Sequence, residues 1–208
     1  ISGRKKYKKY LSQIEYLDGK QFYSKFVYWK SKNQNVLNDC KEELEKEYDV
    51  FAIIGGDGTI NKMLPLLVNL KIPVLILPAG SGNGLARHLK IPMNINKSLD
   101  LISTGKERFI DVCKVNHEHF VITSGVGFDA HIGYLFSKTK TRGWLKYVKI
   151  VVKEFIRYKP QMYRLKFNGE EKVVKAFLIT IANANQWGNN FFIAPKADIS
   201  DGKFNISI

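Results

Sequence analysis

The sequence has little cysteine, no long apolar run and a shortage of acidic residues. Its two cysteines, Cys40 and Cys113, are too few for a disulfide framework or a zinc site, which argues against the small stapled folds of secreted proteins. Its apolar runs stay far below the ~20 residues that a membrane-spanning helix needs. The first residues are basic and no apolar stretch follows them, so a secretory signal is not expected. Together these absences predict a cytoplasmic location.

Acidic residues number 19 against 33 lysines and arginines, which gives a formal net charge of +14. Such an excess favours partners that carry phosphate, namely nucleotides, nucleic acids or anionic lipid surfaces. The sequence has no interleaved aromatic and basic RNA motif and no basic recognition helix, so a nucleic acid is not the expected partner. With 45% hydrophobic and 25% charged residues, the chain is otherwise typical of a folded globular protein.

The first half of the sequence has the pattern of a parallel α/β domain. Residues 50–54 and 72–77 are continuous apolar runs, which is typical of strands buried on both faces of a sheet. Helical periodicity over residues 35–48 and 59–70 alternates with them. We therefore predict a nucleotide-binding α/β domain with a parallel, Rossmann-like sheet over residues 1–107. Within this domain, a helix over residues 8–17 and a strand over residues 21–29 are predicted to precede the first apolar run.

After residue 107 the pattern changes to short strands and tight turns. Turn dipeptides occur at Asn116-His117 and Asn168-Gly169, and one long helix is predicted over residues 144–158. The predicted strands cover residues 109–114, 119–124, 163–167, 172–182 and 203–208. The sequence thus predicts a β-rich, β-sandwich-like second domain over residues 108–208, on the substrate side of the site.

Two glycine-rich loops follow the two buried strands of the first half. The first loop is Gly55-Gly56-Asp57-Gly58-Thr59, and the second is the stretch from Pro78 to Gly84. In a parallel sheet both loops lie at the same edge, where ligands bind and where helix N-termini offer N–H groups to anions. Glycine also lets the backbone approach a phosphate closely. The two loops together predict a phosphate cradle, although the first is not a Walker A loop.

These motifs resemble the catalytic domain of diacylglycerol and sphingosine-type lipid kinases, a superfamily shared with NAD kinases. The resemblance is carried by residues 55–59 with Asn61 and by residues 78–83 with Ala86-Arg87. Further matching segments are Ser2-Gly3, which is similar to the end of an Asn-Pro-x-Ser-Gly phosphate loop, residues 125–129, and Ala194-Pro195 with residues 198–202.

The resemblance implies an ATP-dependent lipid kinase whose acceptor is diacylglycerol, with Asp57 as the catalytic residue near the metal and the transferred phosphate. The residues that would contact ATP are Ser2, Gly3, Gly55, Gly56, Asp57, Gly58, Thr59, Asn61, Gly80, Ser81, Gly82 and Asn83. A Mg²⁺ ion would be held by Asp198, Asp201 and the carbonyl of Lys203, since oxygen ligands suit a hard divalent cation. A plain β-turn is the alternative for that segment.

The sequence departs from the family's pattern in three places. Lys62 stands where a glutamate usually follows Asn61, and the threonine expected at the end of the second strand is not evident around residues 29–31. The family's chain also runs on to an acidic general base, whereas this sequence ends at Ile208. We therefore expect a second domain that is incomplete at its C-terminus and a site that lacks this base.

Several alternatives remain open at this point. The helix over residues 144–158 has an apolar face beside a basic stripe, which would rest on an anionic membrane surface or simply be solvated. The basic cluster over residues 4–9 would add to membrane attraction or lie beside the phosphates. A homodimer is compatible with the sequence. The rival functions are an NAD kinase-like phosphotransferase, tested with NAD as acceptor, and a basic nucleic-acid-binding module, tested by a salt-dependent DNA titration.

Two weaker motifs are expected to be structural. Gly125-x-Gly127-x-x-Ala130 imitates a dinucleotide fingerprint, but no βαβ unit surrounds it. Cys113, His117 and His119 fall near a polar turn without a fourth ligand, so we expect a solvated turn rather than a metal site.

Overall fold

The computed structural model describes residues 4–29, 35–139 and 144–208. Within these ranges the helices are α1 (Arg4–Leu17), α2 (Val36–Glu43), α3 (Asp57–Leu67), α4 (Gly84–His88), α5 (Ile95–Leu99), α6 (Leu101–Thr104), α7 (Phe128–Ser137) and α8 (Trp144–Arg157). The strands are β1 (Phe51–Gly55), β2 (Val74–Pro78), β3 (Cys113–Val115), β4 (Glu118–Phe120), β5 (Thr123–Gly127), β6 (Gln161–Phe167), β7 (Glu170–Ala176), β8 (Leu178–Ala182) and β9 (Asn205–Ser207). Among the described residues, none of the helices has the length and apolar character needed to cross a bilayer.

Strands β1 and β2 form the predicted parallel pair, and their register places the two glycine loops side by side. Phe51 is opposite Val74 and Gly55 is opposite Pro78. The pairing continues one step further, because the N–H of Ala79 donates to the Gly55 carbonyl at 2.8 Å. Both loops therefore leave the sheet from the same edge.

The two faces of this sheet are covered by different parts of the chain. On one face Ile76 packs with Ile60 and Leu64 of α3, whereas Leu77 on the other face packs with Tyr10 of α1. Leu77 is fully buried, and burying a leucine side chain stabilises a fold by about 1.5–3 kcal/mol. The double burial explains why both strands are continuous apolar runs in the sequence.

The second half of the chain is antiparallel. Strand β8 pairs with β5 on one side and with β9 on the other, while β3–β4 and β6–β7 are hairpins. Phe167 is opposite Glu170, so the β6–β7 hairpin has a two-residue turn whose Asn168 and Gly169 have φ of 49° and 79°. Two positive φ values are what a type I′ turn requires, which confirms the turn predicted there.

The halves of the chain share part of their hydrophobic core. Ile199 is fully buried and Val121 nearly so, and both belong to the cluster that contains Ile60 and Met63 of α3. The N–H of Asp111 also donates to the Ile199 carbonyl at 2.7 Å. Helix α3, which begins in the first glycine loop, is thus packed from both halves.

Some sequence-based predictions are wrong. Residues 21–29 form no strand; after an isolated bridge between Asp18 and Phe22, the side chains of Phe22 and Phe26 pack onto the core beside α1. Helix α2 ends at Glu43 instead of residue 48, and of the strand predicted over residues 109–114 only Cys113 and Lys114 are in a strand, which continues to Val115. Helix α7 was not predicted. The strand predicted over residues 172–182 is two strands, β7 and β8, in different sheets, and the strand predicted over residues 119–124 is divided between β4 and β5. The other helices and strands predicted above are present, with ends shifted by a few residues.

Candidate nucleotide site

The two glycine loops touch each other backbone to backbone. A Cβ added to Gly56 would lie 2.7 Å from the Cα of Gly80, and a Cβ added to Gly80 would lie 2.6 Å from the Cα of Gly56. Real Cβ atoms do not come this close to backbone, so each position accommodates only glycine without a shift of the loops. The predicted cradle therefore exists as one continuous backbone surface.

Asp57 joins the first loop to the second. Its Oδ2 accepts the N–H of Gly84 at 2.9 Å, and its Oδ1 accepts the N–H of Leu85 at 3.1 Å. Those donors open helix α4, so the carboxylate caps α4 from 27 residues away in the chain. A carboxylate has about four lone-pair sites, which leaves room for a cation or a donor on the same group. The prediction that Asp57 is catalytic stays a prediction.

Asn83 fixes the shape of the second loop from within. It is buried and has φ of 50°, a left-handed conformation that asparagine tolerates better than most residues. Its Oδ1 accepts the N–H of Gly80 at 2.8 Å, and its Nδ2 donates to the Gly80 carbonyl at 2.9 Å. Because the side-chain amide is used inside the loop, a contact between Asn83 and a nucleotide would come from its backbone.

The start of α3 is the open part of the site. The Gly56 carbonyl accepts the N–H groups of Thr59 at 2.8 Å and Ile60 at 3.1 Å. The N–H groups of Asp57 and Gly58 come before Thr59, the first donor within the helix, and so have no acceptor in α3. A Cβ added to Gly58 would meet nothing within 4 Å, in contrast to Gly55, where it would lie 2.6 Å from the Cβ of Thr59. Asn61 and Ser81 are exposed on the rim. An anion could therefore approach this helix N-terminus freely.

Arg87 lies beside the second loop, with its Nε–H donating to the Gly82 carbonyl at 3.1 Å. Burial, and then the positive charge of Arg87, lower the pKa of Lys6 in helix α1. An open cavity of about 530 Å³ adjoins Lys6 and is lined by Lys6, Lys9, Met93, Asn94, Ile95 and Asn96. Of the two alternatives for the basic cluster, this arrangement favours the position beside the phosphates. Ser2 and Gly3 lie outside the described residues.

The residues at two of the departures from the family's pattern are neighbours in space. The ammonium group of Lys62 lies 5.0 Å from the centre of the Trp29 ring. Such a cation–π contact at an exposed position is worth about 0.5–1 kcal/mol. Lys62 is in the second turn of α3, the helix that begins in the first loop.

The segment predicted to bind Mg²⁺ is folded as a turn with its carboxylates already engaged. Asp198 Oδ1 accepts the N–H of Ser200 at 3.0 Å and forms an ion pair with Arg108 at 2.7 Å. Hydrogen bonds from Ser200 hold the pKa of Asp198 below its usual value. Asp201 Oδ1 accepts the N–H of Lys203 at 2.9 Å. Across the described ranges no three acidic, histidine or cysteine side chains converge on one point, and the Mg²⁺ site formed by two carboxylates and a backbone carbonyl stays a prediction.

The glycine motif at Gly125 and the Cys113 group both lie where the surrounding contacts indicate a structural role. The Gly125 motif ends strand β5 of the antiparallel sheet, and a Cβ added to Gly127 would lie 2.6 Å from the Phe177 carbonyl. Its last acid, Asp129, accepts a hydrogen bond from Thr180 at 3.3 Å, and burial raises the pKa of this carboxyl. Burial, with the charge of Asp111, raises the pKa of Cys113 to about 11. That thiol is therefore neutral at pH 7 and poorly suited to bind a metal.

Comparison with known proteins shows which domains and proteins this chain is similar to. Residues 1–115 match the diacylglycerol kinase catalytic domain, and residues 122–208 match the YegS C-terminal NAD kinase beta sandwich-like domain. A diacylglycerol kinase of Bacillus subtilis strain 168 is 30% identical over 214 residues, covering 100% of this chain and 70% of that protein. A diacylglycerol kinase of Mycobacterium tuberculosis strain H37Rv is 29% identical over 171 residues, covering 78% of this chain.

The chain spans only 55% of the length of the Mycobacterium protein. A solved structure from Bacillus anthracis strain Sterne, described as a candidate diacylglycerol kinase, superposes with a TM-score of 0.74 at 23% identity, covering 99% of this chain and 70% of that chain. These matches confirm the predicted fold, a parallel α/β domain followed by a β-sandwich-like one. They also confirm the resemblance on which the site residues were predicted, while the boundary at residue 107 stays a prediction.

Proposed function

This chain belongs to the diacylglycerol kinase catalytic domain family, and from that premise we propose that it forms the ATP-binding part of a lipid kinase. The reaction is transfer of the γ-phosphate of ATP to the hydroxyl of a lipid, with diacylglycerol as the acceptor. The observation that carries the proposal is the contact between Gly56 and Gly80, because it joins two loops into one backbone surface beside the open N-terminus of α3.

The phosphates are held by backbone donors and by nearby positive charge. The N–H groups of Asp57 and Gly58 point out of the start of α3, where the helix dipole favours an anion. Arg87, whose Nε–H donates to the Gly82 carbonyl, adds positive charge beside the second loop. Hydrogen bonds from charged donors to phosphate are stronger than those between neutral groups. This arrangement supports binding of the ATP triphosphate across the two loops.

Phosphoryl transfer needs positioning and charge neutralisation more than covalent help. In the proposed step the lipid hydroxyl oxygen forms a bond to the γ-phosphorus, the bond from that phosphorus to ADP breaks, and the hydroxyl proton goes to a base. Both oxygens of Asp57 already accept N–H groups from α4. Asp57 is therefore better suited to hold the two loops and a cation than to take that proton.

Mg²⁺ is proposed as the ion that enters with ATP. The site predicted at Asp198, Asp201 and Lys203 would require Arg108 to release Asp198, with which it forms an ion pair. A Mg²⁺ titration followed by thermal unfolding tests that site. A stabilisation by Mg²⁺ without nucleotide that disappears in Asp201→Ala would support the site, and an equal response of both proteins would refute it.

Helix α8 is proposed to rest on an anionic membrane surface, which would bring the site to a lipid. Phe155 and Ile156 are 63% and 82% exposed on its apolar face. Lys153 and Arg157 lie beside this face and are exposed, whereas the acid of this stretch, Glu154, pairs with His131 at 2.8 Å. Exposed apolar side chains next to basic ones suit the boundary of an anionic bilayer. We accordingly propose a cytoplasmic protein bound peripherally at the membrane; a homodimer stays a prediction to test by light scattering.

The test is transfer of labelled γ-phosphate from ATP in the presence of Mg²⁺, with diacylglycerol in mixed micelles, NAD and buffer alone as parallel acceptors. We expect label in the lipid only, and its loss in Asp57→Asn, because an amide oxygen without charge cannot replace both carboxylate contacts. Label in NAD would show that the protein acts as an NAD kinase-like enzyme and would refute the lipid kinase proposal. ATP binding without transfer to any acceptor would support only the ATP-binding part of the proposal and would fit a site that lacks the family's acidic base, and a protein that binds no ATP would refute the whole proposal.

A further inference from the structure

A turn from the second half of the chain packs directly behind the second glycine loop. This turn, Trp187–Asn190, follows strand β8 in the chain. A Cβ added to Gly84 would lie 3.2 Å from the N of Gly188 and 3.3 Å from the carbonyl oxygen of Trp187. Conversely, a Cβ added to Gly188 would lie 3.0 Å from the carbonyl carbon of Gly82. The contact therefore joins backbone to backbone, without side chains that could adapt.

Hydrogen bonds hold the turn to one carbonyl of the loop. The Gly82 carbonyl accepts the N–H of Asn189 at 3.2 Å and the Nε–H of Arg87 at 3.1 Å. Arg87 also donates through Nη1 to Oδ1 of Asn190 at 3.4 Å. Arg87 thus bridges the loop and the turn, and two separate donors fix the direction of a single peptide carbonyl.

The turn is itself a rigid support. The N–H of Phe191 donates to the Gly188 carbonyl at 2.9 Å, and the N–H of Asn190 donates to Oε1 of Gln186 at 3.2 Å. Gln186 is 2% exposed, so this acceptor is held inside the protein. Gly188 has φ of 117°, a value that residues with a Cβ rarely adopt. Glycine therefore meets two requirements at position 188, since it adopts this φ and has no Cβ to press against Gly82.

Fixing the Gly82 carbonyl fixes the rest of its peptide. A trans peptide is planar and directs its C=O and N–H to opposite sides. Because the Gly82 carbonyl faces the turn, the N–H of Asn83 faces away from it. The turn thus sets the direction of a backbone N–H in the loop that is proposed to hold phosphate.

We propose that the turn Trp187–Asn190 positions the second glycine loop for nucleotide binding, with Gly188 as the positioning residue. This inference rests on the proposed ATP site and goes beyond it, since it assigns to the second half of the chain control over nucleotide affinity. Gly188 acts through the backbone of Gly82, so its replacement should weaken ATP binding while leaving the fold in place.

The experiment compares Gly188→Ala with Gly169→Ala in the same chain. Both glycines have positive φ, but a Cβ at Gly169, on the tip of the β6–β7 hairpin, would meet nothing within 4 Å. Both variants should lose stability through backbone strain, whereas only Gly188→Ala also displaces Gly82. Calorimetric dissociation constants for ATP with Mg²⁺ and midpoints of thermal unfolding are measured for the wild type and both variants. We expect Gly169→Ala to bind ATP as the wild type does and Gly188→Ala to bind it about 10- to 100-fold more weakly, since a misdirected Asn83 N–H would lose a hydrogen bond to a charged phosphate, which is worth about 1.5–3 kcal/mol.

Equal ATP affinity of Gly188→Ala and Gly169→Ala would overturn the inference and leave the proposed ATP site intact. A wild type that binds no ATP would refute both. If Gly188→Ala does not fold, Asn190→Gly serves instead, because glycine tolerates the φ of 62° at this position and the change removes the acceptor of the Arg87 bridge. That variant should bind ATP more weakly at an unchanged midpoint of unfolding, and unchanged affinity would count against the inference.

Discussion

Replacing Gly58 by alanine should weaken nucleotide binding without lowering the stability of the fold. A Cβ at this position meets no protein atom within 4 Å, and Gly58 lies in the first turn of α3. Alanine is about 0.8–1 kcal/mol better than glycine in a helix interior, so the unfolding midpoint should stay the same or rise. The added methyl group, however, occupies the space through which a phosphate oxygen would reach N–H groups at about 2.9 Å.

The magnitude follows from the contact that the methyl group blocks. A hydrogen bond to a charged group contributes about 1.5–3 kcal/mol, so losing one should weaken ATP binding roughly 10- to 100-fold. Isothermal calorimetry with ATP measures this, and Gly133→Ala is the matched control because Gly133 is also helical and a Cβ there meets nothing within 4 Å. If Gly58→Ala binds ATP as tightly as Gly133→Ala does, phosphate does not lie over this helix N-terminus and the placement of the site is wrong.

Three further predictions concern other parts of the molecule. Gly80→Ala, whose Cβ would lie 2.6 Å from the Cα of Gly56, should cost about 1–3 kcal/mol in the free energy of unfolding by urea; no loss would show that the loops can part. Charge reversal at Lys153 and Arg157 together should lower binding to anionic vesicles in sedimentation assays and leave binding to neutral vesicles unchanged. If the variant binds anionic vesicles as well as the wild type does, α8 does not bind the membrane through these charges. Because the pKa of Cys113 is raised to about 11, its contribution to stability should be complete below about pH 9 and lost as pH rises toward 11. Cys113→Ala should flatten that alkaline loss in thermal unfolding, and an unchanged slope would assign it to other groups.

The parts of the fold that local patterns determine could be predicted from the sequence. Strands β1 and β2 are apolar on both faces, and the Asn168-Gly169 turn has residues that accept positive φ. The strand predicted over residues 21–29 was wrong because alternation of apolar and polar residues shows only that one side of the segment is buried, and not that the segment pairs with another strand. Here Phe22 and Phe26 are packed against the core without a partner strand.

Helix α7 was missed for a related reason. The glycine motif before it was judged only as an imitation of a dinucleotide fingerprint, yet Phe128 and Ile132 are both buried at a spacing of four residues, which is a helical signal. In the site, the glycine loops were predictable because their composition is local. The bond from Asp57 to the start of α4 and the packing of Gly188 on Gly82 join residues that are far apart in the chain. No single-sequence pattern reports such contacts.

The meeting of Gly56 and Gly80 has a consequence for how this site can change over generations. A clash between two side chains is usually relieved when the neighbour becomes smaller. Here each glycine faces the other's main chain, and no exchange of amino acid shrinks a main chain. Neither position can compensate for the other, so the two should be retained independently and show no correlated exchange in a randomised library under selection. Methods that find contacts from paired substitutions would therefore overlook the contact between Gly56 and Gly80.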